Sequence, residues 1–292
     1  MRLAILGFGL IGGSLARALA VRDPGGWHVT AWSRDPVPVE RARREGILDL
    51  AAPDAAGAVA GCELVVLAAS PLANLDLVAR VGPLVAAAGA TLSDVTSSQR
   101  AMARAAAQVP GLRFVGGHPM AGRERRGYAA ADAALFVDRP WLVLPGPSAA
   151  PVDVERVERL ARACGALPRL LDAATHDRLV AAVSHFPLLV SAALAETVTG
   201  GPDWPAALPL AAGGWRDMTR IARGDAELGA GIAATNADLL VEYLARLEAA
   251  LAGWRAALEA AGGADGPALR ERFERVRSAL ESGDAANGTD PA

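Results

Sequence analysis

No lysine occurs in these 292 residues; all 29 basic side chains are arginine. They stand against 32 acidic ones, for a net charge of −3, and no basic block stands out. That balance argues against a nucleic-acid or anionic-membrane partner. Cysteine is almost as scarce. Two isolated residues, Cys62 and Cys164, can form neither a disulfide framework nor a metal cluster, so no metal site is expected and both should be buried small hydrophobes. Aromatic residues reach only 4% while hydrophobic residues reach 52%. The core must therefore be aliphatic, with helices packed through small residues. No signal-peptide pattern precedes the first apolar run, which is too short to cross a bilayer. A cytoplasmic protein of one large or two ordinary domains is expected.

What is present starts at once. The apolar run Leu3-Ala4-Ile5-Leu6 reads as a buried parallel strand, and Leu15-Ala16-Arg17-Ala18-Leu19-Ala20 reads as a helix. Between them lies Gly7-Phe8-Gly9-Leu10-Ile11-Gly12-Gly13-Ser14. Strand, Gly-x-Gly-x-x-Gly, helix is the dinucleotide-binding pattern. Gly7 would permit the tight turn, Gly9 the approach of backbone to a pyrophosphate, and Gly12 close helix–strand packing. Free N–H groups at the helix start would face the phosphates. At the end of the second strand, where an acidic residue usually binds the ribose 2′-hydroxyl, the chain has Ser33-Arg34. A guanidinium and a hydroxyl suit a 2′-phosphate, which points to NADP with NAD possible. Expected cofactor contacts are Gly7, Gly9, Leu10, Ile11, Gly12, Ser33, Arg34 and Ser70.

Further along, strands are expected over 28–32, 63–69, 90–94, 113–117 and 141–144, with helices between them. One of these, over 72–85, should break near Pro83. The strand at 141–144 should close the sheet, and Pro145-Gly146-Pro147 reads as a linker. This βαβ series predicts an α/β Rossmann-like doubly wound parallel sheet over 1–147. The rest reads as an all-α domain over 148–281. It should hold a long helix over 174–197 bent at Pro187, an irregular connection over 202–209, a very long helix over 226–261, and a last helix over 269–280. Residues 282–292, rich in Gly, Ala and Asp, read as a disordered tail. Leu239, Leu240, Tyr243, Leu244, Leu247, Leu251 and Trp254 form an apolar stripe on the very long helix. One small domain cannot cover it, so a homodimer through the helical half is expected.

Ligands of such a sheet sit beyond the carboxyl ends of its strands. Ser97 and His118 both follow strand ends. A histidine held there between Gly117 and Pro119 is a candidate general base.

At these residues the chain resembles the prephenate and arogenate dehydrogenases of tyrosine biosynthesis. The glycine loop resembles their opening loop, and Asp94-Val95-Thr96-Ser97 their Asp-x-x-Ser segment. His118-Pro119-Met120-Ala121-Gly122-Arg123-Glu124-Arg125-Arg126-Gly127 is similar to their most specific signature. Ser184-His185-Phe186-Pro187 and Arg216-Asp217-Met218-Thr219-Arg220 are similar to motifs of their helical domain. The resemblance spans residue 3 to about residue 250, with motifs in the family's order.

It implies an enzyme that removes hydride from a cyclohexadiene while CO₂ departs, with His118 as base and Ser97 orienting it. Arg220 would bind a substrate carboxylate, with Arg216 nearby, Glu124 by the pocket mouth and His185 at the substrate. His176, on the same helix, carries no assigned role. Gln99 stands where the family often has lysine. Leu188 stands where many prephenate-using members have a second histidine; with Ser33-Arg34 this is more similar to NADP-using arogenate dehydrogenases. Prephenate-specific use of NAD is the alternative within the family. A β-hydroxyacid dehydrogenase is disfavoured, since that family uses a lysine in its helical domain. A non-catalytic NADP sensor would lack the charged pocket that His118, Arg216 and Arg220 supply.

Overall fold

The computed structural model describes residues 1–123, 125–261 and 266–287. In chain order the first part holds β1 (Arg2–Leu6), α1 (Leu10–Arg22), β2 (His28–Trp32), α2 (Val37–Arg44), β3 (Leu50–Ala51), α3 (Ala55–Val59), β4 (Leu64–Leu67), α4 (Pro71–Ala87), β5 (Thr91–Asp94), α5 (Gln99–Ala107), β6 (Arg113–Pro119), β7 (Pro140–Pro145), α6 (Pro151–Ala163) and β8 (Leu167–Leu170). The strands form one sheet in the order β3-β2-β1-β4-β5-β6-β7-β8. Every pairing is parallel except β6 with β7. The arrangement is a Rossmann-like doubly wound sheet followed by helices.

Both faces of the sheet are covered, and the strands read accordingly. Leu3 and Ile5 pack in a cluster with Leu15, Leu19, Trp141 and Leu160 on one face, where α1 and α6 lie. Ala4 and Leu6 pack with Leu77, Val78, Val81 and Met102 on the other, where α4 and α5 lie. A strand buried on both sides carries a continuous apolar run rather than an alternating one. Cys62 and Cys164 are buried thiols in these two layers.

Three local expectations differ from the structure. α4 runs unbroken through Pro83; the proline lies on the exposed side, where a carbonyl deprived of its N–H partner meets water. Trp141–Leu144 does not close the sheet, because β8 adds a further parallel strand. Nor does Pro145-Gly146-Pro147 separate domains. Gly146 N donates to Phe114 O (3.0 Å) and Ser148 Oγ to Leu112 O (2.6 Å). Buried Asp153 accepts from Thr91 Oγ1 (2.6 Å) and Ala150 N (2.9 Å), stitching α6 back onto β5.

The helical part comprises α7 (Ala173–Val180), a π-helical turn at Ala181–His185, α8 (Phe186–Thr199), α9 (Trp204–Ala207), α10 (Gly213–Thr219), α11 (Ala226–Thr235), α12 (Ala237–Ala261) and α13 (Gly266–Asn287). The widened π turn takes up the distortion that Pro187 imposes on the residues before it. The stretch Ala173–Thr199 is long and apolar enough to cross a membrane by length and composition alone, and only 22% of its most apolar window is buried within this chain.

The expected single helix over 226–261 is divided at Asn236, whose backbone leaves the helical region (φ −129°, ψ 26°). Residues 202–209 carry α9 and part of a 3₁₀ turn rather than an irregular connection. Residues 282–287 of the expected tail are helical and continue α13, with Ser282 Oγ bonded to Ser278 O (2.8 Å). Residues 288–292 lie outside the described residues.

Two compact units result, Met1–Leu240 and Val241–Ala292. The first holds the sheet and α7–α11. In the second, the remainder of α12 and α13 form a helical pair. Trp254 packs on Phe273 (4.8 Å between ring centroids), and the Arg272 guanidinium sits 4.2 Å above Trp254.

Candidate active site

A cavity of about 1340 Å³ lies in the first unit at the carboxyl ends of β1, β4, β5 and β6. Its floor is the turn from β1 into α1. Gly7 adopts φ +99°, and a Cβ there would lie 2.5 Å from the Ala69 amide nitrogen. A Cβ on Gly12 would lie 2.2 Å from the Gly7 carbonyl oxygen. A Cβ on Gly9 would meet nothing within 4 Å, so that backbone faces open space. α1 starts at Gly9 without a side-chain cap and without an acidic residue in its first turn. Its N–H groups and positive dipole end are thus available to an anion. Asn74 secures the facing edge, accepting from Ala69 N (3.0 Å) and donating to Leu67 O (3.3 Å). The geometry fits a dinucleotide pyrophosphate. Leu10, Ile11, Ser33, Arg34 and Ser70 line the same cavity.

At the other end lie Ser97, His118, Ser184, His185, Leu188 and Arg220. Asp94 organises the strand ends that carry the first two. Its buried carboxylate accepts from Gly117 N (3.1 Å), Thr96 N (3.1 Å) and the Thr96 hydroxyl. Burial pushes this carboxyl up to about 6 against the pull of those donors. Gln99 Nε2 ties the two strand ends together, donating to Thr96 O (2.8 Å) and Gly117 O (3.0 Å). This is what the chain builds with Gln99 at the position where the resembling family often has lysine.

His118 is 9% exposed. Its Nδ1 lies 2.8 Å from Nε2 of His176, whose Nδ1 lies 2.8 Å from Asp177 Oδ1. Asp177 also accepts from Gln99 N (2.7 Å), Arg100 N (2.9 Å) and Arg100 Nε (3.2 Å). Burial raises its pKa, but His176 and the two N–H groups outweigh it and hold the carboxyl below its ordinary value. Burial pushes His118 down to about 3, with His176 and His185 adding to the effect and Asp177 opposing it. Burial likewise pushes His185 down to about 4, against the pull of Asp177 and the Ser97 backbone and with His176 adding to it. Both imidazoles are neutral at ordinary pH, and a neutral imidazole has one lone pair to take a proton.

Several expected placements differ. Among the described residues Ser97 Oγ is buried without a hydrogen-bond partner, so it does not hold His118; His176 does. Arg220 lines the cavity and Arg216 does not; both side chains are exposed. α10 ends at Thr219, and Arg220 joins it to the 3₁₀ turn Ile221–Arg223. Glu124 lies outside the described residues. The sequence reading missed His176, Asp177, Arg100 and Asn236, which surround the histidines, and Glu227 at the nucleotide end. The adjacent pair His176-Asp177 near a helix start was the available signal.

Comparison with known proteins bears directly on this arrangement. Residues 16–168 match the model of the prephenate dehydrogenase nucleotide-binding domain, and residues 172–275 that of the prephenate dehydrogenase dimerization domain. The chain belongs to the prephenate dehydrogenase family. Its members are pyridine-nucleotide-dependent oxidoreductases. The chain is 29% identical over 247 residues to a prephenate dehydrogenase of Lactococcus lactis subsp. cremoris, covering 83% of this chain and 67% of the relative. It is 28% identical over 281 residues to a cyclohexadienyl dehydrogenase of Zymomonas mobilis, covering 95% and 94%. It spans only about two thirds of the length of the Lactococcus relative. The solved arogenate dehydrogenase of Synechocystis superposes with a TM-score of 0.77 at 27% identity, over 97% of this chain and 99% of that one. The prephenate dehydrogenase of Aquifex aeolicus, solved with hydroxyphenyl propionate and NAD⁺, shares the fold (TM-score 0.84, 21% identity, 97% and 98% covered). The two family models meet between residues 168 and 172, at the end of β8 rather than at Pro147.

Proposed function

We propose that this chain catalyses the NADP-dependent oxidative decarboxylation of a cyclohexadienyl substrate, arogenate in preference to prephenate. One observation carries the reading: the glycine turn, His118 and Arg220 line one continuous cavity. A hydride acceptor held by the first would lie in the same space as a base and a carboxylate ligand.

The family's substrates are cyclohexadienes with a carboxylate on a quaternary ring carbon. Gly7, Gly9, Leu10, Ile11 and Gly12 would hold the pyrophosphate half of the cofactor, and Ser33, Arg34 and Ser70 its adenosine side. When bound there, a nicotinamide cofactor would supply the acceptor for the hydride of the hydroxyl-bearing carbon. His118 takes the hydroxyl proton, and Arg220 holds a carboxylate by charge-assisted hydrogen bonds. The resulting dienone sheds CO₂ as the ring becomes aromatic, which supplies the driving force. The protein's contribution is orientation and removal of one proton. His185 and the unpartnered Ser97 hydroxyl are polar groups for the substrate.

Arogenate is favoured because Leu188 lines the cavity where a second histidine would donate to an oxygen. NADP is favoured because Ser33 and Arg34 replace the usual acidic ribose ligand. The proposed assembly is a homodimer through the helical half, and the proposed location is the cytoplasm. The exposed apolar stretch within Ala173–Thr199 supports the dimer, as does the description of the second family model as a dimerization domain. Steady-state kinetics with both substrates and both cofactors tests the reading. A kcat/KM for arogenate with NADP⁺ above that for prephenate supports it. The reverse order overturns the substrate assignment.

A further inference from the structure

The ring nitrogens of His118 and His185 are engaged by partners whose own chemistry leaves little choice. Arg100 can only donate, and its Nη2 bonds Asn236 at 2.8 Å. The atom facing it is therefore the amide oxygen, and the other end of Asn236 is its NH₂. That NH₂ lies 3.2 Å from the Asp177 carbonyl, which can only accept, and 3.2 Å from His185 Nδ1. His185 Nδ1 is thus an acceptor, and a neutral ring must carry its proton on Nε2. Among the described residues that Nε2 is buried without a hydrogen-bond partner, in a side chain that lines the cavity, is 1% exposed and also feels the Ser97 backbone.

His118 is set the other way. Asp177 is neutralised by Arg100 and receives only donors, so His176 donates its Nδ1–H to it. A neutral His176 then has a bare Nε2, which accepts the Nδ1–H of His118. His118 is left with a bare Nε2. Arg100 touches every branch of this network, and Asp238 Oδ1 holds its outer end at 2.6 Å.

We infer that His176 and Asn236 are positioning residues that fix the two cavity histidines in opposite tautomers, His118 as an acceptor and His185 as a donor at Nε2. The inference rests on the reading of His118 as proton acceptor. It goes beyond that reading by giving His185 the role of hydrogen-bond donor to a substrate oxygen. When His118 Nε2 gains the substrate proton, its Nδ1–H already points at a nitrogen anchored on Asp177, so the cation forms beside a fixed partner.

Long-range nitrogen-15 correlation spectra of the histidine-labelled protein read the tautomers directly; the chain has four histidines. The expected result is a protonated Nδ1 on His118 and a protonated Nε2 on His185. The opposite tautomer at either ring overturns the inference, as does a doubly protonated His176. In Asn236→Asp the new carboxylate accepts from His185, so its tautomer flips, and KM rises about ten- to a hundredfold while kcat changes less. An unflipped His185 signal in the folded variant overturns the inference. His176→Gln, whose amide oxygen still accepts, keeps the His118 signal, and His176→Leu loses it; equal spectra contradict the account. The spectra report the tautomers whether or not His118 is the base. Failure of the base assignment shows instead in the turnover of His118→Asn.

Discussion

Ser70, immediately before α4, donates its hydroxyl to Oε1 of Glu227 near the start of α11 over 2.7 Å, across 157 positions of sequence. The same carboxylate oxygen lies 3.7 Å from Arg34 Nη2. An acidic side chain from the helical part thus sits beside the residue read as the 2′-phosphate ligand, at the nucleotide end of the cavity.

Arg34 should therefore govern cofactor choice. Arg34→Ala is expected to raise KM for NADP⁺ by roughly tenfold, through loss of a charged hydrogen-bond donor, and to leave NAD⁺ nearly unaffected. Glu227→Gln should lower KM for NADP⁺, because the phosphate no longer meets a like charge. Equal changes for both cofactors in Arg34→Ala would assign this arginine to the fold or the adenine.

The two arginines of the α10 motif should separate. Arg220→Ala removes a cavity guanidinium and is expected to raise substrate KM about ten- to a hundredfold. Arg216→Ala, at an exposed position off the cavity lining, should change KM less than threefold (about the noise of a surface substitution). Similar losses for both variants would return Arg216 to the substrate.

Stability should depend on pH in a defined direction. His118 and His185 are held neutral with values pushed down to about 3 and about 4, against about 6.5 in an unfolded chain. Between about pH 4 and pH 6.5 the unfolded state binds more protons at both, so stability rises with pH. Asp94, pushed up to about 6, acts the other way below that pH, because the folded state keeps a proton the unfolded state has lost. Two histidines against one carboxyl leave a net rise of about 1.4 kcal/mol per pH unit between roughly pH 4 and 6. Urea unfolding at several pH values reads the slope. A fall in stability over that range would contradict the burial of neutral histidines.

The second unit exposes Leu251, Leu258, Phe273 and Leu280. Covering such a face with a second copy gains about 25 cal/mol per Å² of apolar surface removed from water. Light scattering at micromolar concentration is expected to give twice the chain mass, and a monomer mass would sink the assembly proposed above.

The parts of this molecule that the sequence announces are those whose signal is local. The glycine turn is flanked by its strand and helix within a few residues, and Gly12 meets the Gly7 carbonyl in the same turn. β8 was hidden because Leu167-Pro168-Arg169-Leu170 is a mostly exposed edge segment with no apolar run. The break at Asn236 is not legible locally; the partners of its side chain, Arg100 and the Asp177 carbonyl, lie 136 and 59 positions away. His176 went unassigned for the same reason: its partner His118 is 58 residues distant. The motif around Arg216 and Arg220 is legible as a motif, but which guanidinium lines the cavity depends on packing that the motif does not encode.

The central claim is that His118 removes the proton as hydride leaves the substrate. The direct measurement follows the NADPH absorbance band after mixing NADP⁺ with arogenate or prephenate, for the unmodified chain and for His118→Asn, with cofactor binding checked separately. The account predicts NADPH formation with release of CO₂ by the unmodified chain. It also predicts a loss of about 10²–10⁴-fold in kcat for the variant, with cofactor affinity retained. Near-normal kcat in a variant that binds cofactor, or no NADPH from either substrate with the unmodified chain, would contradict it.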